Sequence, residues 1–169
     1  MTSRAAICSA ALVASLLGMG LAGAGARADT PGSLHELLCD RTVHVYYGVG
    51  NQIEFLAANG DSYFWQPGSA AVIEGTWRIG ETQEGGAQIC FQYAQDALRP
   101  GYDGEEFCFS GDWFLGTFLR DGLRDGDPYN LRSGTPPYVL AAQPPLDIAS
   151  LSMDFPDDAR STSCSANLS

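Results

Sequence analysis

Residues 75–111 read GTWRIGETQEGGAQICFQYAQDALRPGYDGEEFCFSG, and this stretch decides the fold. It holds three segments of alternating apolar and polar residues, with a cysteine in each of the last two. Ile89, Phe91 and Tyr93 share one parity and Gln88, Cys90 and Gln92 the other, while Phe107 and Phe109 oppose Glu106, Cys108 and Ser110. Successive side chains of a strand point to opposite faces. A register that sets Cys90 opposite Cys108 therefore also sets Phe91 opposite Phe107 and Ile89 opposite Phe109. Hydrophobic pattern and disulfide select the same antiparallel hairpin. Trp77, Ile89, Phe91, Phe107 and Phe109 are then expected to face a core, with the disulfide pinning the register from the polar side.

The period of two continues outward on both sides. Upstream, Val43, Val45 and Tyr47 alternate with Thr42, His44 and Tyr46, and Ile53 and Phe55 resume the apolar parity. Asn59-Gly60 between alternating segments signals a hairpin; a two-residue turn there sets Phe55 opposite Phe64 and Glu54 beside Trp65. Ile73, Trp77 and Ile79 share a face of the next strand, opposite Glu74, Thr76 and Arg78. Ahead of the strands, Ser33 with Glu36 three residues on forms a capping box, which predicts a short helix from Leu34 to about Cys39 with His35 on its solvent side. Downstream, Asp112 to Leu119 reads as a further strand, Arg120 to Asp127 as a solvated turn, and Tyr138 to Ala142 as a last short strand. Gln143 to Ser169, with Pro144, Pro145 and Pro156, reads as an extended or disordered tail. The expected fold is all-β: an antiparallel meander of seven or eight short strands forming a small barrel or sandwich, with one short N-terminal helix.

The first residues bear on the compartment. Arg4, an apolar run from Ala5 to Ala26 and the small-x-small ending Ala26-Arg27-Ala28 form the pattern of a secretory signal peptide, so residues 1–28 are expected to be cleaved and residues 29–142 to form a single domain. Cleavage takes Arg4 and Arg27 away and deepens the net charge from −11 to about −13. Nucleic acid and anionic membrane surfaces would be repelled by such a chain. Four cysteines remain, and an even number in an exported protein predicts disulfides. The hairpin register pairs Cys90 with Cys108 and leaves Cys39 for Cys164; by the loop-entropy relation these closures stabilise by roughly 3 and roughly 4 to 5 kcal/mol. No Cys-x-x-Cys pair supports a zinc site, and Asp121, Asp125 and Asp127 lack the spacing of an EF-hand loop. No metal and no cofactor is expected.

Two resemblances bear on the class. Gly75-Thr76-Trp77 resembles the Gly-x-Trp opening of lipocalin and avidin strands, which implies a small barrel that carries a ligand. From about Gly60 to Cys108 the chain is similar to small exported bacterial proteins of unknown function, in which an Asn-Gly-Asp-type hairpin precedes a Gly-x-Trp strand and two cysteine-bearing strands. That likeness implies a secreted, disulfide-bearing β-domain and assigns no activity.

Catalytic motifs are missing from the sequence. There is no Gly-x-Ser-x-Gly, no His-Glu-x-x-His and no phosphate-binding glycine loop. His35 and His44 lie in no recognisable motif, and His44 is expected at the surface or rim. Glu54, Glu74 and Glu106 fall on the polar parity of their strands, so a hydrolase built on strand carboxylates is the alternative class, and it depends on how far apart those carboxylates lie. The leading expectation is a periplasmic or secreted, non-enzymatic domain that binds an unidentified protein or a small ligand through Tyr46, Glu54 and Trp65. Inhibition of a basic cell-wall hydrolase is a variant that would use the acidic charge.

Overall fold

The computed structural model describes residues 30–48, 50–118, 122–143, 146, 151 and 164. The expected signal peptide, residues 1–28, lies outside them, as does most of the expected tail. Seven strands form one antiparallel sheet: β1 (Arg41–Tyr47), β2 (Gly50–Leu56), β3 (Asp61–Trp65), β4 (Ile73–Glu81), β5 (Ala87–Tyr93), β6 (Phe107–Ser110) and β7 (Leu123–Asp125). Strands β1 to β6 follow one another as a meander, and β7 returns to the free edge of β1. The sheet curls into a half-barrel.

The cysteine hairpin has the expected register. Cys90 faces Cys108, Ile89 faces Phe109 and Phe91 faces Phe107. Both disulfides form, Cys90 with Cys108 and Cys39 with Cys164, so the second ties the first helix to a residue 125 positions on.

That first helix, α1 (Pro31–Leu38), starts earlier than expected. Thr30 is its N-cap: its hydroxyl accepts from the Ser33 amide while the Ser33 hydroxyl accepts from the Thr30 amide, both at 3.2 Å. Pro31 takes the first helical position, where its fixed φ suits the helix and its missing N–H costs nothing. This placement turns His35 inward. It is buried and stacks on Trp77 with ring centroids 5.5 Å apart, not on the solvent side.

Register corrects the β2–β3 hairpin. Gly60 adopts φ +91°, the Gly60 amide donates to the Ala57 carbonyl at 3.0 Å, and the Ala57 amide donates to the Asp61 carbonyl at 2.9 Å. That is a three-residue loop, Ala58 to Gly60, in which a glycine follows a tight turn. The added residue shifts the pairing by one: Phe55 faces Tyr63, and Glu54 faces Phe64. A one-residue shift moves a side chain set to the other face. In β1 and β2, Val43 faces Glu54 and His44 faces Ile53, so Ile53 and Phe55 lie on the face opposite Val43 and Val45.

Both faces are consequently apolar, and each has its own cover. The inner face carries Val43, Val45, Leu56, Trp77, Ile79, Ile89, Phe91 and Tyr93 and packs against Leu34 and Leu38 of α1. The outer face carries Ile53, Phe55 and Trp65 beneath Tyr129, Leu131, Leu140 and Leu151. Tyr138 to Ala142 is thus not a sheet strand but a covering strap, held by bonds from the Asn51 side chain to the Ala141 carbonyl at 2.8 Å and from the Gly68 amide to the Leu140 carbonyl at 3.1 Å. His44 is buried too, its Nε2 3.3 Å from Asn51 Oδ1, where the sequence had placed it at the surface.

Two more segments differ from expectation. Residues 111–118 form a helix, α2 (Gly111–Phe118), in place of a strand. The Ser110 hydroxyl accepts from the Trp113 amide at 3.3 Å at its start, and Phe114 is buried in the inner core. Leu123–Asp125, expected in a solvated turn, pairs with β1, and Arg41 meets Asp125 at 3.0 Å. Asp127 next to it is buried, accepting from the Leu131 and Arg132 amides at 2.8 and 2.9 Å, and Asp121 lies outside the described residues.

Trp65→Ala should lower the free energy of unfolding by about 3 to 5 kcal/mol, the usual cost of emptying a large aromatic site in a core. Trp113→Ala, at a ring 41% exposed, should cost clearly less. Urea denaturation of the two variants measures the difference; equal costs would mean that the strap does not hold Trp65 in a core.

Candidate functional site

The open side of the half-barrel is spanned by α2, which packs against β1 at one side and β5 and β6 at the other. Beneath it the inner face holds a partly open pocket of about 120 Å3, with Glu54 half-buried in it. Its wall is aromatic: Phe64, Phe91, Tyr93, Phe107, Phe109 and Phe114 all line it. Glu54 is the one ionisable carboxyl in that wall, set between Val43 of β1 and Phe64 of β3 by the two registers of β2.

Three strands contribute to the polar end. Ser62 on β3 and Tyr93 on β5 both donate their hydroxyls to Oε1 of Glu54 on β2, and the two hydroxyl oxygens are 3.3 Å apart. Gly75 on β4 makes the reach of Tyr93 possible. It sits directly opposite Tyr93 in the sheet, and the Tyr93 ring lies across it; a side chain there would collide with that ring and with the Gln92 carbonyl. The glycine of the Gly75-Thr76-Trp77 motif therefore has a positional reason, while Trp77 donates its indole N–H to the Ala57 carbonyl at 2.9 Å and anchors the hairpin loop from below.

The trio is electrostatically strained toward neutrality. Burial among apolar walls raises the Glu54 pKa to about 7, against the lowering effect of the Ser62 and Tyr93 hydrogen bonds. Burial and the adjacent Glu54 charge hold the Tyr93 phenol well above its usual value. No cationic side chain offsets Glu54 among the described residues. The arginine ion pairs lie elsewhere: Arg41 with Asp125, Arg78 with Glu106 and Arg132 with Asp40. The chain contains no lysine at all.

The three ligand-contact residues expected from the sequence do not converge. Glu54 is on the inner face. Tyr46 is half-buried on the outer face, opposite Asn51. Trp65 is sealed in the outer core, 4.9 Å from the Tyr138 ring and 5.9 Å from Tyr129, because the strap covers a face the alternation had left to solvent. The carboxylates weighed for hydrolysis diverge too: Glu74 and Glu106 are exposed on the outer face, and Glu106 is held by a two-point contact to Arg78. Cys90 and Cys108 lie near Glu106, but they are joined to each other and offer no thiolate to a metal.

Ser62 and Tyr93 are the members of the site that the alternation did not single out. Their signal was present: Tyr93 shares the parity of Phe91, and Ser62 that of Phe64. Comparison with protein-family models, with curated proteins and with solved structures returns no match, so what the site does must follow from its own geometry.

A carboxyl whose pKa is raised on folding binds a proton that the unfolded chain has released, so its contribution is greatest at low pH and is lost as pH rises from its ordinary value of 4.5 through about 7. Glu54→Gln keeps an acceptor for both hydroxyls and removes this loss. The variant and the natural chain should have similar stability near pH 4, with the variant increasingly the more stable up to about pH 7 and a constant gap above it. Thermal melts across that range test it, and parallel curves would refute a raised Glu54 pKa.

Proposed function

We propose that this chain is an exported, non-enzymatic β-domain that binds a small molecule inside the half-barrel. The observation that carries the reading is a single carboxyl at the polar end of an aromatic cavity, the usual composition of a ligand site: mostly apolar walls with a few placed polar groups. The volume limits the ligand. An apolar cavity of about 150 Å3 takes one benzene ring, so about 120 Å3 suits a molecule of that order with one polar group directed at Glu54 and Tyr93. Export is supported by the signal-like leader and by two disulfides, which persist in oxidising compartments. No helix among the described residues is long and apolar enough to cross a membrane.

The reading predicts saturable binding. Single-ring probes such as phenol and benzylamine should shift amide resonances of β2, β5 and β6, and Val45→Phe, which fills the cavity from β1, should abolish those shifts while leaving the rest of the spectrum in place. Probes that perturb only surface residues would overturn it.

Protein binding is the second reading, favoured by one feature. Tyr47 and Trp113, 52% and 41% exposed, meet edge to face at 6.4 Å on the rim, and Trp113 stacks on Phe109 at 4.9 Å. Exposed aromatics on an acidic domain suit a basic partner such as a cell-wall hydrolase. Excess protein should then reduce lysozyme activity in a salt-sensitive way, and unchanged activity removes this reading.

A further inference from the structure

We infer that the ligand class of the inner cavity is a small organic cation, a quaternary or alkyl ammonium, with Glu54 as its counter-ion and the surrounding rings as its walls. The inference rests on the ligand-binding reading above and narrows it.

Three observations converge on positive charge. Glu54 is a carboxyl placed among apolar side chains without a cationic partner among the described residues. Placing a carboxyl in such surroundings is unfavourable unless a positive charge or a proton accompanies it. Ser62 and Tyr93 already donate to Oε1, the arrangement that favours an ionised acceptor. Among the described residues Oε2 takes no hydrogen bond, and Glu54 lines the cavity.

The walls discriminate in the same direction. Six aromatic side chains surround a space of about 120 Å3. Phe91 and Tyr93 stand parallel within 6°, and Tyr93 and Phe107 within 29°. Rings of this kind attract a cation through their π electrons, most effectively where water is excluded, and such cages suit methylated ammonium groups, which are poorly served by hydrogen bonds. An anion would meet Glu54 and a π-rich wall together, and beside a neutral apolar molecule the carboxyl could be neutralised by a proton alone. The net charge of −11 draws cations toward the domain before any contact is made.

Cation binding should ionise Glu54. Its pKa of about 7 means that a substantial share of the protein carries the proton at mildly acidic pH, and a bound ammonium would displace it to solvent. The other titratable group facing Glu54 is Tyr93, held protonated by burial.

The test uses the disulfide-bonded protein and three probes in calorimetry and amide-shift titrations: choline, the neutral alcohol in which a tert-butyl group replaces its trimethylammonium, and phenol. Choline should bind at least tenfold more tightly than the alcohol. At mildly acidic pH its heat should vary with the ionisation enthalpy of the buffer, which reports proton release. Glu54→Gln should abolish both the preference and the proton release while keeping the amide spectrum. If the alcohol or phenol binds the cavity as well as choline, or if Glu54→Gln keeps the preference, the cation assignment is overturned and the ligand-binding reading stands. If none of the three perturbs the cavity residues, both fall.

Discussion

The two registers of β2, against β1 and against β3, govern the rest of this molecule. Gly60, at φ +91°, closes a three-residue loop that sets Phe64 opposite Glu54, and the β1–β2 pairing sets Val43 opposite it on the other side, so Glu54 lies on the inner face. The alternative two-residue turn would have set Glu54 beside Trp65 and brought Phe55 together with Phe64. A strand has no intermediate setting: its side chains change faces as a set. The two registers of β2 together therefore assign a carboxyl to a cavity and three large apolar residues, Ile53, Phe55 and Trp65, to the opposite surface.

That assignment obliges the sheet to be covered twice. The inner face takes α1 and α2, and the outer face takes the strap through Tyr129, Leu131, Tyr138 and Leu140. The outer cover is held by polar contacts as well as apolar ones: Asn51 donates to the Ala141 and Ala142 carbonyls, Arg132 pairs with buried Asp40 at 3.2 Å and lies 4.6 Å over the Phe55 ring. The inner cover is looser. A helix of two turns spans the gap between β1 and β6, and a gap bridged by side chains instead of backbone hydrogen bonds leaves room for a cavity. A strand in that place would have carried the sheet further round and narrowed the space.

Electrostatics then gives the cavity its character. The arginines among the described residues that form ion pairs do so away from it, at the β1 edge, on the outer face and beneath the strap. Glu54 is left with two hydroxyl donors, and its proton affinity is raised by its surroundings. A group kept at that balance is costly to stability when ionised, and groups shifted in this way cluster at functional sites, although structural networks shift them too. The Gly75 gap that lets Tyr93 reach Glu54 points the same way, because the contact needs a glycine on the neighbouring strand.

By itself the sequence determined the fold class, the meander from β1 to β6, the pairing of Cys90 with Cys108 and that of Cys39 with Cys164. Each of these depends on local periodicity or on counting. Strand alternation is a local property, and a disulfide across a hairpin leaves one register. Tertiary structure alone decided which face counts as solvent. Trp65 and Phe55 sit beneath residues 129–140, roughly 65 to 85 residues further along the chain, and no local pattern announces that such a cover will return. The helix α2 was hidden for a related reason: Trp113, Phe114, Leu115 and Phe118 suit either period in so short a run, and only contact with both β1 and β5 chose the helix. Glu54 was singled out from its parity, with the wrong neighbours and on the wrong face. Its true partners, Ser62 and Tyr93, are 8 and 39 residues away, brought to one carboxylate oxygen by the successive pairings of β2 through β5.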